Sequence, residues 1–231
     1  MRKESFAENE IYHIYNRGVE KRNIFSNEKD YYRFIHNLFE FNDEAPALDA
    51  HCKPHIKSYE AEPHTSRKQL VDILIFTLMP NHFHLLVRAK DESGVPRFMH
   101  KLGTGYVMYF NQKYKRVGPL FQGKFKAIRI DRESHLMHIP HYIHMNPLDL
   151  QNVRVRGSAS LSVRMQFLEN YRWSSFPDYM GKKNFPSITT RDFLLDYFDG
   201  KQNYKQKTKE WIRDWKTNTE EMDEVALDNN V

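Results

Sequence analysis

The 231-residue sequence contains only one cysteine, Cys52, and no long apolar run. A single cysteine excludes an intrachain disulfide framework and fits a reducing compartment. No stretch approaches the roughly 20 apolar residues that a membrane-spanning helix needs, and the N-terminal residues lack the apolar segment of a secretory signal. These absences exclude a disulfide-stapled secreted domain and predict a cytoplasmic protein without a membrane partner.

Acidic residues are outnumbered, 30 against 35 Lys and Arg, which gives a formal net charge of +5. Residues 216–231 hold one lysine and five acidic residues, a net −4, so the rest of the chain carries +9. Aromatic residues make up 14% of the chain. A basic body that is also aromatic suits a polyanion with stacking bases, so nucleic acid is the favoured partner.

The hydrophobic patterns predict the order strand, helix, strand, strand, helix, strand, helix. Strands are expected at 11–16, 71–78, 82–88 and 119–130, and helices at 28–39 and 94–114. A last helix, capped by Asp131 or Ser134, should end near Asn146 and be kinked at Pro140 or divided there into two short helices. This order predicts an α+β, ferredoxin-like antiparallel sheet with helices packed over one face, followed by a C-terminal helical extension.

The same patterns divide the chain into segments. Residues 1–155 form the predicted main domain, interrupted by a long loop insertion at 44–69. Residues 156–215 are expected to complete that domain or to bind DNA, and residues 216–231 to form an acidic, disordered tail. The loop contains a His51-Cys52-x-x-His55 cluster, but because no fourth zinc ligand is evident, an exposed loop is favoured over a zinc site.

Two histidines flank one apolar residue where an apolar run ends. In a strand, the period of two places His82 and His84 on one face and Phe83 on the other. Two adjacent imidazoles favour a metal ion, and the alternative is a pair of half-buried polar residues on a sheet.

A second pair of polar residues lies on the last predicted helix. Tyr142 and Asn146 are four residues apart, so they share one helical face. An Asn oxygen is a suitable neutral third metal ligand, and a tyrosine phenol becomes an effective nucleophile beside a cation. The alternative for Tyr142, one of 13 tyrosines, is an ordinary packing residue against the sheet.

The same helical span carries four more histidines: His135, His138, His141 and His144. Steps of three residues drift around a helix, so the four cannot converge on one ion. They are predicted to be mostly solvated or DNA-facing, with one of them assisting Tyr142.

Five sequence blocks resemble those of a known family. Met79-Pro80-Asn81-His82-Phe83-His84-Leu85-Leu86-Val87 resembles the HUH motif of single-tyrosine HUH transposases. Four further blocks resemble the REP-associated tyrosine transposase branch of that family: Tyr12–Gly18, Leu120–Ala127, Tyr142–Pro147 and Tyr171–Ser175. The blocks occur in the family's order between about residues 10 and 180.

The resemblance implies a catalytic domain that acts on single-stranded or hairpin DNA. It implies His82, His84 and Asn146 as ligands of a divalent ion, Mg²⁺ or Mn²⁺, and no nucleotide or organic cofactor. Tyr142 would attack a phosphodiester and form a 5′-phosphotyrosine link, leaving a 3′-hydroxyl that can later rejoin strands. Related transposases often form homodimers, so the sequence leaves open whether a partner supplies the tyrosine helix.

Polar and basic residues provide candidate DNA contacts, although each charged one can equally be a solvated surface charge. The candidates are Asn16, Arg17, Lys113, Lys115, Arg116, Lys124, Lys126 and Arg129. Tyr114, Phe121 and Phe125 are candidates for stacking on unpaired bases.

Two alternative functions share part of this pattern. A replication initiator or relaxase also uses His-x-His and tyrosine, but usually with a third ligating histidine and a helicase partner. A domesticated, non-catalytic nucleic-acid-binding protein would keep the basic surface, but binding alone has no need of a metal pair beside a nucleophile.

Overall fold

The structure of the protein, a computed structural model, describes residues 5–46, 67–150 and 160–214. The strands are β1 (Ile11–Arg17), β2 (Val71–Met79), β3 (His82–Ala89) and β4 (Lys126–Arg129). The helices are α1 (Glu28–Glu40), α2 (Gly94–Lys113), α3 (Glu133–Met145), α4 (Leu161–Asn170), α5 (Phe176–Tyr179), α6 (Asp192–Tyr197) and α7 (Lys201–Arg213). Short 3₁₀ turns occupy Val19–Lys21 and Asn146–Leu150.

The four strands pair in the order β2-β3-β1-β4, and every pair is antiparallel. With α1 between β1 and β2 and α2 between β3 and β4, this is the split β-α-β arrangement of ferredoxin-like folds, as the sequence predicts. The fourth strand is shorter than expected because residues 119–125 do not join it, apart from an isolated bridge between Phe121 and Gly18.

Local sequence signals account for the edges of these elements. Asn27 caps α1 by accepting a hydrogen bond from the Lys29 amide, and Asp30 accepts one from the Asn27 amide in return. The helix α3 runs through Pro140 as one element and ends at Met145, so the residue before Pro147 starts a 3₁₀ turn. That ending places Asn146 one turn beyond Tyr142.

The sheet is covered on both faces, so the expectation of helices over one face is wrong. Phe83 and its neighbours pack with α1 and α2 in one core cluster. Leu86, on the opposite face, packs with Tyr142 of α3 and with the C-terminal helices in a second cluster. Periodicity predicts each helix but not the face that it covers, which depends on contacts distant in sequence.

The C-terminal helices share that second core, since Met165, Tyr179, Tyr204 and Trp211 pack with α3. Residues 173–175 run along the outer edge of β2, where the Leu78 amide donates to the Trp173 carbonyl and the Ser175 amide to the Phe76 carbonyl. Covering the edge strand in this way satisfies its backbone groups.

Besides residues 1–4, three stretches of the chain lie outside the described residues. They are 47–66, which holds most of the loop insertion with His51, Cys52 and His55; 151–159, where the predicted main domain meets the extension; and 215–231, which includes the whole predicted tail. Within the described ranges, no helix is long and apolar enough to cross a membrane.

Candidate active site

Strand β3 brings the two histidines of the motif together on the face covered by α3. The ring centroids of His82 and His84 are 5.0 Å apart, with the rings nearly perpendicular. His82, at the start of the strand, is partly exposed, whereas His84 is fully buried. The alternation predicted from the sequence therefore places both imidazoles where one ion can contact them.

Hydrogen bonds fix the orientation of His82. Its Nδ1 lies 2.6 Å from Oδ1 of Asn81, while the amide nitrogen of Asn81 donates to the Lys21 carbonyl. Because that second bond fixes Oδ1 as the acceptor toward His82, Nδ1 of His82 carries the proton. Nε2 is then the nitrogen with a lone pair that suits a metal.

His84 is oriented in a similar way by His13, a residue that the sequence reasoning missed. Nδ1 of His84 lies 2.8 Å from Nε2 of His13, and both rings are fully buried and stacked. Metal-ligating histidines usually donate their second ring N–H to an acceptor such as a carboxylate or carbonyl oxygen, and an unprotonated Nε2 of His13 can act as that acceptor. His13 is within the Tyr12–Gly18 block, but its contact with His84 follows from the β1–β3 register, which the sequence does not reveal.

Tyr142 of α3 packs edge-on against the rings of His84 and His13. Its ring centroid is 6.1 Å from that of His84 and 6.4 Å from that of His13, and the side chain is 6% exposed. The structure thus brings three of the residues singled out in the sequence, His82, His84 and Tyr142, to one place.

Asn146 follows one turn after Tyr142, and its side chain is buried. Its amide nitrogen donates to the Tyr142 carbonyl at 3.0 Å, which fixes Oδ1 as the atom with which it could bind an ion. Among the described residues, no group of three or more His, Cys, Asp and Glu side chains could hold a metal.

The side chains of His82, His84 and Asn146 carry atom types that divalent cations bind, and the two histidines also lie side by side. Hydrogen bonds orient the two imidazoles, and the amide oxygen of Asn146 could be a third donor, which would leave coordination positions for phosphate oxygens.

The predicted DNA contacts divide between the two faces of the sheet. Arg17 pairs with His82, and Lys126 with Tyr15, so both lie on the histidine face. The Lys126 ammonium is 5.7 Å from the centre of the Tyr15 ring, and Tyr15 stacks on His84. Nε of Arg17 is buried and has no hydrogen-bond partner among the described residues.

Other candidates are engaged elsewhere. Lys113 forms an ion pair with the buried carboxylate of Asp30; burial alone would lower the pKa of Lys113, but its hydrogen bonds to Asp30, Tyr109 and Tyr114 raise it. Arg129 lies on the opposite sheet face from Lys126 and pairs with Glu10. Arg116 bonds to the side chain of Asn111.

Two of the remaining candidates, Asn16 and Lys124, line a cavity on the Phe83 face. Asn16 donates to the Gly123 carbonyl at 3.1 Å, close to Lys124, and Lys115 adopts a left-handed backbone conformation just after α2. Phe121 and Phe125 line the cavity of about 530 Å³ together with Phe83, whereas the Tyr114 hydroxyl donates to Asp30.

The expectation that the helix histidines are mostly solvated or DNA-facing is wrong for two of them. His141 and His144 are buried by the C-terminal helices, and burial lowers the pKa of His141 to about 3 and that of His144 well below its ordinary value. His135 and His138 are partly exposed, and His138 contacts the ring of Trp211. The spacing of the histidines along α3 does not predict which turn of that helix α7 covers.

A family model described as "Transposase IS200 like" matches residues 30–146, which include both histidines, Tyr142 and Asn146. The chain belongs to the IS200-like transposase family. A transposase of this family acts on DNA, and the motif-based resemblance to the single-tyrosine transposases is confirmed.

A structural comparison supports the transposase fold. The chain is similar to a solved REP-associated tyrosine transposase bound to a REP hairpin, with 13% sequence identity and a TM-score of 0.50. The match covers 81% of this chain and 88% of the other. No curated protein sequence matches the chain.

Proposed function

We propose that this transposase cleaves and rejoins single-stranded DNA next to a hairpin, with Tyr142 as the nucleophile and a divalent ion held by His82, His84 and Asn146. The observation that carries the proposal is the packing of the Tyr142 ring against His84, on the sheet face that also carries His82. A phenol beside two oriented imidazoles, with an amide one helical turn beyond the phenol, supplies the groups that metal-assisted phosphodiester transfer needs.

The proposed reaction is a transfer of the phosphoryl group to tyrosine. Oη of Tyr142 attacks the scissile phosphorus, the bond from phosphorus to the 3′-oxygen breaks, and a 5′-phosphotyrosine link forms. The phenol loses its proton, and the departing 3′-oxygen takes one up as a hydroxyl. A bound divalent ion would supply positive charge that polarises the phosphate and favours the phenolate.

Side chains of the protein itself guide the DNA strand to Tyr142 and the two histidines. His84 is buried, so the phosphate has to approach from the end of the sheet where His82 and Arg17 are partly exposed. The guanidinium of the partly exposed Arg17 is a donor suited to a phosphate oxygen there. Lys126, exposed beside Tyr15, adds charge along the same approach.

A covalent-adduct assay tests the proposal. Labelled hairpin DNA with single-stranded flanks is incubated with the protein and Mn²⁺, then separated under denaturing conditions. A DNA–protein band that requires the metal supports the proposal. Binding without any adduct across varied flanking sequences, with or without metal, would instead favour a non-catalytic nucleic-acid-binding protein.

Replacing His13 is expected to weaken metal use, because His13 holds Nδ1 of His84. We expect His13→Ala to raise the Mn²⁺ concentration for half-maximal adduct formation by about 10- to 100-fold. His13→Gln, whose amide oxygen can still accept from Nδ1, should retain more of the metal affinity. Manganese titrations of the adduct yield measure both, and unchanged midpoints in both variants would contradict the assigned role of His13.

Lys126 and Arg129 form a matched pair for locating the DNA surface, since they are exposed on opposite faces of β4. Lys126→Ala should weaken single-stranded DNA binding and lower the slope of log Kd against log salt concentration by about 0.7. Arg129→Ala should leave both nearly unchanged. Fluorescence anisotropy over a salt series measures this, and a larger effect at Arg129 would place the DNA on the other face.

A further inference from the structure

His144 occupies an unusual place on the helix that carries Tyr142. It lies two residues after Tyr142, is fully buried, and uses both ring nitrogens in hydrogen bonds to different parts of the fold. Nδ1 is 2.7 Å from the hydroxyl of Tyr204 on α7, and Nε2 is 2.8 Å from Oγ of Ser175. A neutral ring, with one donor and one acceptor nitrogen, satisfies both hydroxyls.

Ser175 continues the connection to the sheet. Its Oγ accepts a hydrogen bond from the Phe76 amide at 3.1 Å, and its own amide donates to the Phe76 carbonyl at 3.0 Å. Phe76 precedes Thr77, the residue on β2 that pairs with His84. A continuous chain of hydrogen bonds therefore runs from α7 through His144 to the strand beside His84.

A second link joins the same two helices one turn earlier. Nδ1 of His141 is 2.9 Å from Oγ1 of Thr208, and that hydroxyl donates to the Tyr204 carbonyl. Thr208 therefore accepts from His141, which fixes the donor in this link. Both links come from α7, so the helix of Tyr142 is tied to α7 at two levels.

These links bear on the nucleophile because apolar packing alone tolerates small shifts of a helix, whereas satisfied buried hydrogen bonds fix its position. A displacement of about 1 Å at a reacting group can reduce a rate about 100-fold. Residues 141–146, which include Tyr142, are all buried, so this part of the chain has no solvent-exposed side toward which it could shift.

We propose that His144 is a positioning residue for Tyr142, holding the tyrosine helix through the Tyr204–His144–Ser175 bridge so that the phenol faces the histidine pair. The C-terminal helices then form part of the catalytic apparatus, and the nucleophile is held by its own chain. This inference rests on the proposed function of Tyr142.

Variants that remove one hydroxyl each test the bridge with little change in volume. Ser175→Ala and Tyr204→Phe should each lower the single-turnover rate of adduct formation at saturating DNA and Mn²⁺ by about 10-fold, while the Kd for DNA changes less than twofold. His144→Leu should lower the rate by about 100-fold, and His144→Gln should recover part of it. Melting temperatures identify any loss of folded protein.

Tyr179→Phe is the matched control. The Tyr179 hydroxyl is also buried, and it donates to the Leu74 carbonyl at 2.9 Å in the same core without bonding to His144. Its removal should lower the melting temperature about as much as Tyr204→Phe but leave the rate unchanged. Equal rate losses in Tyr179→Phe and Tyr204→Phe, or normal rates in both bridge variants, would overturn the positioning role.

The reaction of the wild-type protein distinguishes failure of the positioning role of His144 from failure of the proposed function of Tyr142. An active wild type with fully active bridge variants overturns the positioning role alone. A wild type that forms no adduct overturns the proposed function and the positioning role with it.

Discussion

Replacement of Tyr142 by phenylalanine is expected to abolish covalent attachment of DNA, lowering adduct formation by at least about 10³-fold. The variant keeps the aromatic ring that packs against His13 and His84 and loses only the hydroxyl that we propose attacks phosphorus. DNA affinity should stay within about twofold of wild type, because the ring and the basic surface are retained. Denaturing gels measure the adduct, and anisotropy measures binding.

Tyr197→Phe is a suitable control, since Tyr197 lies on α6 and contacts Phe198 rather than the histidines. It should form the adduct at the wild-type rate. An adduct that persists in Tyr142→Phe at a comparable rate would show that another group is the nucleophile, and the role given to α3 would then be wrong.

The second large effect is expected at the histidine pair. His82→Ala and His84→Ala should each reduce adduct formation by about 10³-fold at a Mn²⁺ concentration that saturates wild type, because transition-state charge stabilisation by the metal is worth several kcal/mol. Calorimetric titration with Mn²⁺ should show weakened binding in both. DNA binding measured without metal should be retained, since the proposal assigns DNA affinity to the basic residues and gives the two imidazoles a role only in binding the metal.

His82→Ala is the easier of the two variants to interpret, because His82 is partly exposed, whereas replacing the buried His84 also alters packing in the sheet. His100→Ala serves as the control, since His100 is exposed on α2 over the opposite sheet face. It should leave both metal binding and adduct yield unchanged. Full activity of His82→Ala without added metal would rule out the metal role of the pair.

The parts of the site that could be predicted from the sequence follow from local geometry. The strand period places His82 and His84 on one face, and the helical period places Tyr142 and Asn146 on one face. The order of strands and helices is also local information, and it predicts the ferredoxin-like sheet. Each of these inferences needs only neighbouring residues and a regular backbone.

The parts that could not be predicted depend on contacts between distant segments. His13 orients His84 only because β1 pairs with β3 in one register, across 71 positions of sequence. His144 is buried because Tyr204, 60 positions later, packs on it. The ion pair of Lys113 with Asp30 likewise joins residues 83 positions apart, and it turns a candidate DNA contact into a structural one.

The central claim is that Tyr142 itself becomes joined to DNA. Trypsin should release residues 133–154 as one peptide, which begins after Arg132, ends at Arg154 and contains Tyr142 as its only tyrosine. After reaction with hairpin DNA and Mn²⁺, nuclease trimming and digestion, mass spectrometry should find this peptide carrying a nucleotide through phosphotyrosine. A nucleotide on a different peptide, or an unmodified 133–154 peptide in protein that carries DNA, would contradict the account.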